Sequence, residues 1–298
     1  MFTDIPQYDW VSRYLPSMAR PYARLMRLDR PIGTWLLLLP CWWGVAMASP
    51  HMPDLWLMLL FAVGSVVMRS AGCIVNDLYD RELDRKVERT ANRPLASGEI
   101  KPWQALILLA LLLLLGFGIL LLLKPEAIVI GVASLILVFT YPLMKRITWW
   151  PQLFLGFTFN WGALVSWAAV VGVVASPALW LYAAGTVWTL AYDTIYAHQD
   201  KEDDEHAGIK STARLFGKSS KKWVGRFYIV TILLLLCAGH AAGLGKSFYV
   251  LMIWAANFAY NQWSIWRTRD PLSCQQRFRG NRDFGLIVLL AIIIGKFI

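Results

Sequence analysis

Apolar runs of membrane-crossing length recur along this chain, separated by short polar segments rich in Arg and Lys. A helical span needs roughly 20 such residues, and the pattern predicts nine of them. The first four cover about 32–48, 55–76, 102–123 and 127–144. Residues 147–192 contain no charged side chain and are too long for one span, so a turn at Pro177 divides them into a fifth and a sixth. The seventh and eighth cover about 227–245 and 247–266, and a short last segment covers 284–298. Uniformly apolar runs of this length do not suit a membrane β-barrel, whose strands alternate over about ten residues.

Composition agrees with that pattern. Hydrophobic residues make up 57% of the 298 and charged residues only 16%, with a mean hydropathy of +0.49. A soluble chain is roughly a quarter charged, so a soluble domain and a disordered chain are both excluded. The 16 tryptophans suit a protein with many membrane–water boundaries. The fold expected is an all-α, polytopic membrane bundle in a single domain over 1–298. The first thirty residues carry scattered charges and no early apolar core, so no cleavable signal peptide is expected.

The net charge of +10 invites a nucleic-acid reading, but the placement of the bases argues against it. Of the Lys and Arg residues, 25 fall on one side of the predicted topology, only Lys124, Lys246 and Lys296 on the other, and Arg69 inside the second span. That asymmetry predicts a cytoplasmic N-terminus and cytoplasmic polar loops. Membrane lipids are therefore expected partners and nucleic acid is not; protein partners are not identified. Cys41, Cys73, Cys237 and Cys274 lie far apart and form no metal-binding or redox spacing, so they read as small buried apolar groups.

Two acidic clusters stand out on the basic side. The second span leads into NDLYDRELD at 76–84, where Asn76, Asp80 and Asp84 are successively four apart. If the helix continues, the three share one face, with Asp77 one step round. Carboxylates at a helix C-terminus oppose the helix dipole and repel each other, so a cation is expected there. The plainer alternative is a solvated loop neutralised by Arg81, Arg85 and Lys86. After the sixth span, DKEDD at 200–204 repeats the spacing with Asp200 and Asp204, and Asp193 and Asp203 lie nearby. Basic residues follow both clusters, Arg89 and Arg93 in one and Lys210 and Arg214 in the other, as in an imperfect internal repeat.

Diphosphate chemistry suits this arrangement. Magnesium takes oxygen ligands from a few carboxylates together with substrate phosphates. It offsets charge developing on a leaving diphosphate, and flanking guanidinium and ammonium groups bind phosphate oxygens. A cation transporter coupled to lipid and an enzyme moving phosphate between lipids are the competing readings. A transporter would more often place its acids near the bilayer midplane.

The chain resembles the UbiA superfamily of intramembrane prenyltransferases, from about Leu28 to the last spans. The resemblance is carried by NDLYDRELD at 76–84 and DKEDD at 200–204. LDRPIGTWLLLLPCWWG at 28–44, RSAGCIVND at 69–77, YPLMKR at 141–146 and AYDTIYAHQD at 191–200 point within it to the bacterial branch that prenylates 4-hydroxybenzoate in ubiquinone biosynthesis. It implies nine helices around a central cavity in a bacterial inner membrane. It also implies Mg2+ as cofactor, with polyprenyl diphosphate and 4-hydroxybenzoate as substrates; a different aromatic acceptor is the alternative.

By matching positions, the resemblance makes Asn76, Asp80, Asp84, Asp200 and Asp204 the metal-associated residues, the four aspartates being catalytic. Arg146 is expected to bind the diphosphate, with Lys145 beside it and Arg30 before the first span. Arg69 lies seven residues before Asn76; it either holds the carboxylate of the aromatic acid or belongs to a structural pair. Tyr141 and Tyr196 are expected at the substrate, with weaker expectations for Tyr79 and Tyr192. His198 has no second His or Cys to support zinc and reads as structural. The loops at 77–101 and 198–222 are expected to close over the head groups.

Overall fold

The computed structural model describes residues 9–87, 90–206 and 208–297, the side chains of Asp203 and His206 excepted. Among these residues the regular structure is entirely helical: α1 Trp10–Tyr14, α2 Arg20–Leu25, α3 Ile32–Ala48, α4 Leu55–Asp84, α5 Pro94–Ser97, α6 Pro102–Leu120, α7 Pro125–Ile147, α8 Pro151–Val171, α9 Ser176–Ala197, α10 Lys201–His206, α11 Thr212–Phe216, α12 Ser220–Ala241, α13 Lys246–Ser264 and α14 Pro271–Ile294. Among the described residues nine of these helices run to 17 residues or longer. Five stretches are long and apolar enough to cross a membrane by that measure alone: α4, α6, α7, α8 and the stretch Thr212–Ala241. The chain is thus an all-α, polytopic membrane protein. That is fewer than the nine expected: α3 falls short of the measure in length, and the first half of α14 is polar.

Two boundaries differ instructively from the hydropathy pattern. The second span does not stop at Asn76; α4 continues without a break to Asp84 over 30 residues. The last segment is not short: α14 has 24 residues and starts at Pro271, where the Asp270 side chain accepts from the amides of Leu272 and Ser273. Its polar opening, RFRGNRD, hid it.

The chain divides into two compact units. The first comprises the residues up to Thr34 and Val63–Leu120, and the second Trp35–Ala62 and Leu121–Ile298. In the first, Leu25 of α2, Ala71, Ile74 and Val75 of α4, Leu95 and Ile100 around α5, and Ala105 and Leu109 of α6 form the core. Ala71, Ile74, Val75 and Leu78 lie at helical spacing on one side of α4, opposite its acidic face.

In the second unit α9 packs against α8, α12 and α14. Gly156 of α8 lets the helices meet closely, since a Cβ there would lie 2.8 Å from the Thr186 carbonyl oxygen. Asn160 donates from Nδ2 to Thr189 Oγ1 at 2.8 Å. Asn281 of α14, almost fully buried, accepts from Trp188 Nε1 at 2.8 Å and from the Tyr228 hydroxyl at 3.0 Å. One amide therefore ties α9, α12 and α14, which accounts for the buried polar residue on α14.

Two lysines of the sparse set have local roles here. Lys124 donates to the Val170 carbonyl at the end of α8, and Lys296 donates to the carbonyls of Met47 and Ser49 at the end of α3. A cation at unsatisfied C-terminal carbonyls is favourable. Of the cysteines, Cys41, Cys73 and Cys274 are buried as expected, whereas Cys237 is exposed.

Candidate active site

The first unit contains Arg30, Arg69, Asn76, Asp80 and Asp84. Because α4 is helical to its end, Asn76, Asp77, Asp80 and Asp84 fall within an arc of about 100°, and Arg69 projects along the same arc two turns earlier. Asp77 and Asp80 are each 1% exposed and Asp84 7%, while Asn76 is only half-buried. The buried acidic stripe is therefore Asp77–Asp80–Asp84. Asp77 belongs to it more fully than its offset from Asn76 suggested.

Three arginines serve this stripe and its loop. One guanidinium nitrogen of Arg27 lies 2.8 and 2.9 Å from the two oxygens of Asp77. One nitrogen of Arg93 lies 3.1 and 2.9 Å from those of Asp84, and 3.5 Å from Asp77 Oδ1. The result is an alternating chain, Arg27–Asp77–Arg93–Asp84, in which each charge has an opposite neighbour. Arg85 donates through Nε to the Ala96 carbonyl at 2.9 Å, and the Thr90 hydroxyl donates to the Asp84 carbonyl at 3.0 Å. These bonds fold the loop after α4 back onto it and carry Arg93 to Asp84. Arg85 is thus a loop tether rather than only a neutralising surface charge.

No glycine signals the position of Arg27, yet its φ is +57°. It caps α2: the Leu28 amide donates to the Ala23 carbonyl and the Arg27 amide to that of Arg24, both at 3.0 Å. That is the Schellman pattern with arginine in the place usually taken by glycine. Asp29 is buried beside Arg30, whose Nη2 lies 3.1 Å from Asp29 Oδ2. Burial outweighs that contact and holds the Asp29 carboxyl above its ordinary value. Arg69 stacks its head group on the start of α3: a Cβ at Gly33 would lie 2.5 Å from Arg69 Nε and 2.8 Å from Nη2.

The second unit contains Tyr141, Lys145, Arg146, Tyr196, Asp200 and Asp204. α9 ends at Ala197, and the Asp204 amide donates to the Asp200 carbonyl at 2.7 Å as α10 begins. The two aspartates thus flank a single helical turn and are partly exposed. The following segment is bound to the end of α7, which carries Lys145 and Arg146. The Lys210 amide donates to the Lys145 carbonyl at 2.9 Å and Lys210 Nζ to that of Ile147 at 3.0 Å. Gln152 Oε1 accepts from the Thr212 amide at 3.0 Å. Arg214 donates to the carbonyls of Asp204 and Ile209 and lies over the Trp149 ring.

Lys210, Arg214 and Arg93 thus all make contacts within the protein, which the spacing alone did not reveal; Arg89 and the Asp203 side chain lie outside the described residues. Tyr196 packs tilted against Phe278, a residue the motifs did not single out, with ring centroids 4.7 Å apart, whereas Tyr192 is 1% exposed in the core. Tyr79 is exposed. His198 packs edge-on against Trp266, and burial pushes it down to about 4, a neutral structural ring.

Among the described residues no three His, Cys, Asp or Glu side chains converge as a ready-made metal site. The donor set nevertheless fits a hard cation. It consists of carboxylate and amide oxygens in i,i+4 pairs, and magnesium characteristically completes its shell with water and substrate phosphate.

The profile of the UbiA prenyltransferase family matches residues 37–289. The chain is 48% identical over 298 residues to the mitochondrial 4-hydroxybenzoate polyprenyltransferase of Arabidopsis thaliana, covering 98% of this chain and 72% of that protein. It is 46% identical over 284 residues to the Homo sapiens protein of the same description, covering 94% and 76%. A UbiA homolog from Aeropyrum pernix K1, solved in its apo form, superposes with a TM-score of 0.74 at 26% identity, covering 87% of this chain and 97% of that one. A UbiA homolog from Archaeoglobus fulgidus bound to GPP and Mg2+ shares the fold, with a TM-score of 0.71 at 20% identity, covering 92% and 98%. The relatives named are mitochondrial proteins, which overturns the expectation of a bacterial inner membrane. With the profile spanning both acidic clusters and these relatives aligned along nearly the whole chain, the protein belongs to the UbiA prenyltransferase family.

Proposed function

We propose that this chain transfers a polyprenyl group from polyprenyl diphosphate to the ring carbon ortho to the hydroxyl of 4-hydroxybenzoate, releasing diphosphate. The observation that carries the reading is the unbroken run of α4 to Asp84, which places Arg69, Asn76, Asp80 and Asp84 along one face. The residues occur in a chain 48% identical to 4-hydroxybenzoate polyprenyltransferases. Family membership sets the transporter reading aside. Both units are read as parts of one catalytic domain, which the profile match across 37–289 supports. The nine long helices among the described residues and the 25-to-3 distribution of bases support nine spans with the N-terminus on the side of the basic loops.

Asp80 and Asp84 with Asn76, and Asp200 with Asp204, supply the oxygens that would hold magnesium. Bound there, the metal would neutralise charge on the departing diphosphate. Arg30, Lys145 and Arg146 bind phosphate oxygens, and Arg69 binds the carboxylate of the acceptor. Tyr141 and Tyr196 contact substrate, the Tyr196 ring offering its face to the allylic cation. The C–O bond breaks with both electrons leaving on the diphosphate. The ring carbon ortho to the hydroxyl, enriched in electron density by that group, then forms the new C–C bond, and its proton passes to a carboxylate or to the released diphosphate. The segments between α4 and α6 and between α9 and α12, shorter than the loops expected at 77–101 and 198–222 because α4 runs on to Asp84 and α12 begins at Ser220, exclude water from the cation.

The test is prenyl transfer by purified protein in lipid, offered a panel of aromatic acids, with products fragmented by mass spectrometry. Ring-prenylated 4-hydroxybenzoate substituted ortho to the hydroxyl is expected. Product from a different aromatic acid alone would overturn the acceptor and keep the transfer; none from any acceptor would overturn the function.

A further inference from the structure

The contacts of Arg93 have a consequence for how the metal reaches Asp84. Arg93 does not point from its loop toward solvent. It places one nitrogen across both Asp84 oxygens, the same pair of atoms a cation would take, and the two side chains are only 12% and 9% exposed. A buried carboxylate that is charged and unpaired carries a large penalty, and Arg93 is the positive group that stands at Asp84.

The partners differ in how firmly each is held. Asp77 has Arg27 at 2.8 Å and loses little if Arg93 withdraws from its 3.5 Å contact. Arg93, by contrast, stands in a loop at the N-cap of the short α5, and its side chain makes no capping bond there. Arg27 and Asp77 are thus the fixed half of the charge chain, and Arg93 is the exchangeable one.

We propose that Arg93 is an internal counter-ion that holds the metal position at Asp84 in the metal-free protein and yields it when the divalent cation arrives. It is a positioning residue, acting through Asp84. Its displacement frees a guanidinium beside the incoming phosphates, so that loading the cation and presenting a phosphate-binding group become one event. The inference rests on the reading of Asp84 as a metal-associated residue.

The test uses the full chain in lipid nanodiscs, with Mn2+ followed by electron paramagnetic resonance. Without diphosphate, Arg93→Gln should bind Mn2+ more tightly than wild type by about tenfold, and Asp84→Asn in that background should abolish the gain. A purely structural arginine predicts unchanged or weaker binding, and that result would overturn the proposal. If Arg93→Gln does not fold, wild type decides: adding Mn2+ alone should raise modification of Arg93 by phenylglyoxal several-fold, read by peptide mass spectrometry, and unchanged reactivity would overturn the proposal. Asp84→Asn with otherwise wild-type residues separates the parent reading. Unaltered Mn2+ binding in the presence of inorganic pyrophosphate would show that Asp84 is no ligand, whatever Arg93 does.

Discussion

Arg27 sets a single guanidinium nitrogen 2.8 and 2.9 Å from the two carboxylate oxygens of Asp77, a residue 50 positions away in sequence. The bond fastens the arm before α3 to the acidic face of α4, and it is made by a residue whose backbone is in the left-handed region. Asp77 is therefore an anchor for the arm rather than a group facing water.

That double role separates two substitutions. Arg27→Ala loses the ion pair and keeps the unfavourable φ, and should destabilise the protein by about 3 kcal/mol. Arg27→Gly loses the same pair but relieves the backbone, and should be about 1 kcal/mol less destabilised. Heat unfolding followed by tryptophan fluorescence measures both; equal losses would show that the conformation of Arg27 carries no strain.

Gly33 and Arg69 provide a test of acceptor binding. A methyl group at Gly33 would displace the Arg69 head group, whose Nε lies 2.5 Å from the position of the added carbon. Gly33→Ala should raise KM for 4-hydroxybenzoate while leaving KM for the polyprenyl diphosphate unchanged. Arg69→Lys, which keeps the charge but not the planar fork, should do the same by about tenfold or more. A parallel rise in both KM values would make Arg69 a structural arginine.

Asp29 predicts a dependence on pH. Its carboxyl is raised above the ordinary 3.8, burial being the main cause and the Arg30 contact opposing it. A folded-state value above the unfolded one means that the native protein takes up the proton more readily. The stability difference between wild type and Asp29→Asn should therefore shift in favour of wild type as pH falls through the raised value, reaching its limit below 3.8. Thermal unfolding of both proteins at neutral pH and at mildly acidic pH measures the difference; a constant gap would contradict the assignment.

Much of this was legible from the chain, for identifiable reasons. Apolar runs specify helices because the bilayer leaves backbone groups no other partner, so α3 was placed at its observed limits, Ile32–Ala48. The i,i+4 spacing of Asn76, Asp80 and Asp84 correctly implied one face. What escaped reading depends on contacts distant in sequence. Nothing local marks Arg27 as a helix cap, because the pattern normally requires glycine. Nor does the sequence tell whether Arg93 faces phosphate or carboxylate, since both need the same residue type. The polar opening of α14 was missed because Asn281 is buried by hydrogen bonds from Trp188 and Tyr228 on other helices, which no hydropathy window records.

The central claim is that both acidic clusters serve one magnesium-dependent transfer, and the most direct measurement is a magnesium titration of prenyl transfer to 4-hydroxybenzoate in wild type, Asp84→Asn and Asp204→Asn. Both variants should unfold near the wild-type temperature yet lose about two orders of magnitude in rate at saturating substrates, with the remaining activity requiring more magnesium. A folded variant of either cluster that keeps the wild-type rate and magnesium midpoint would contradict the account.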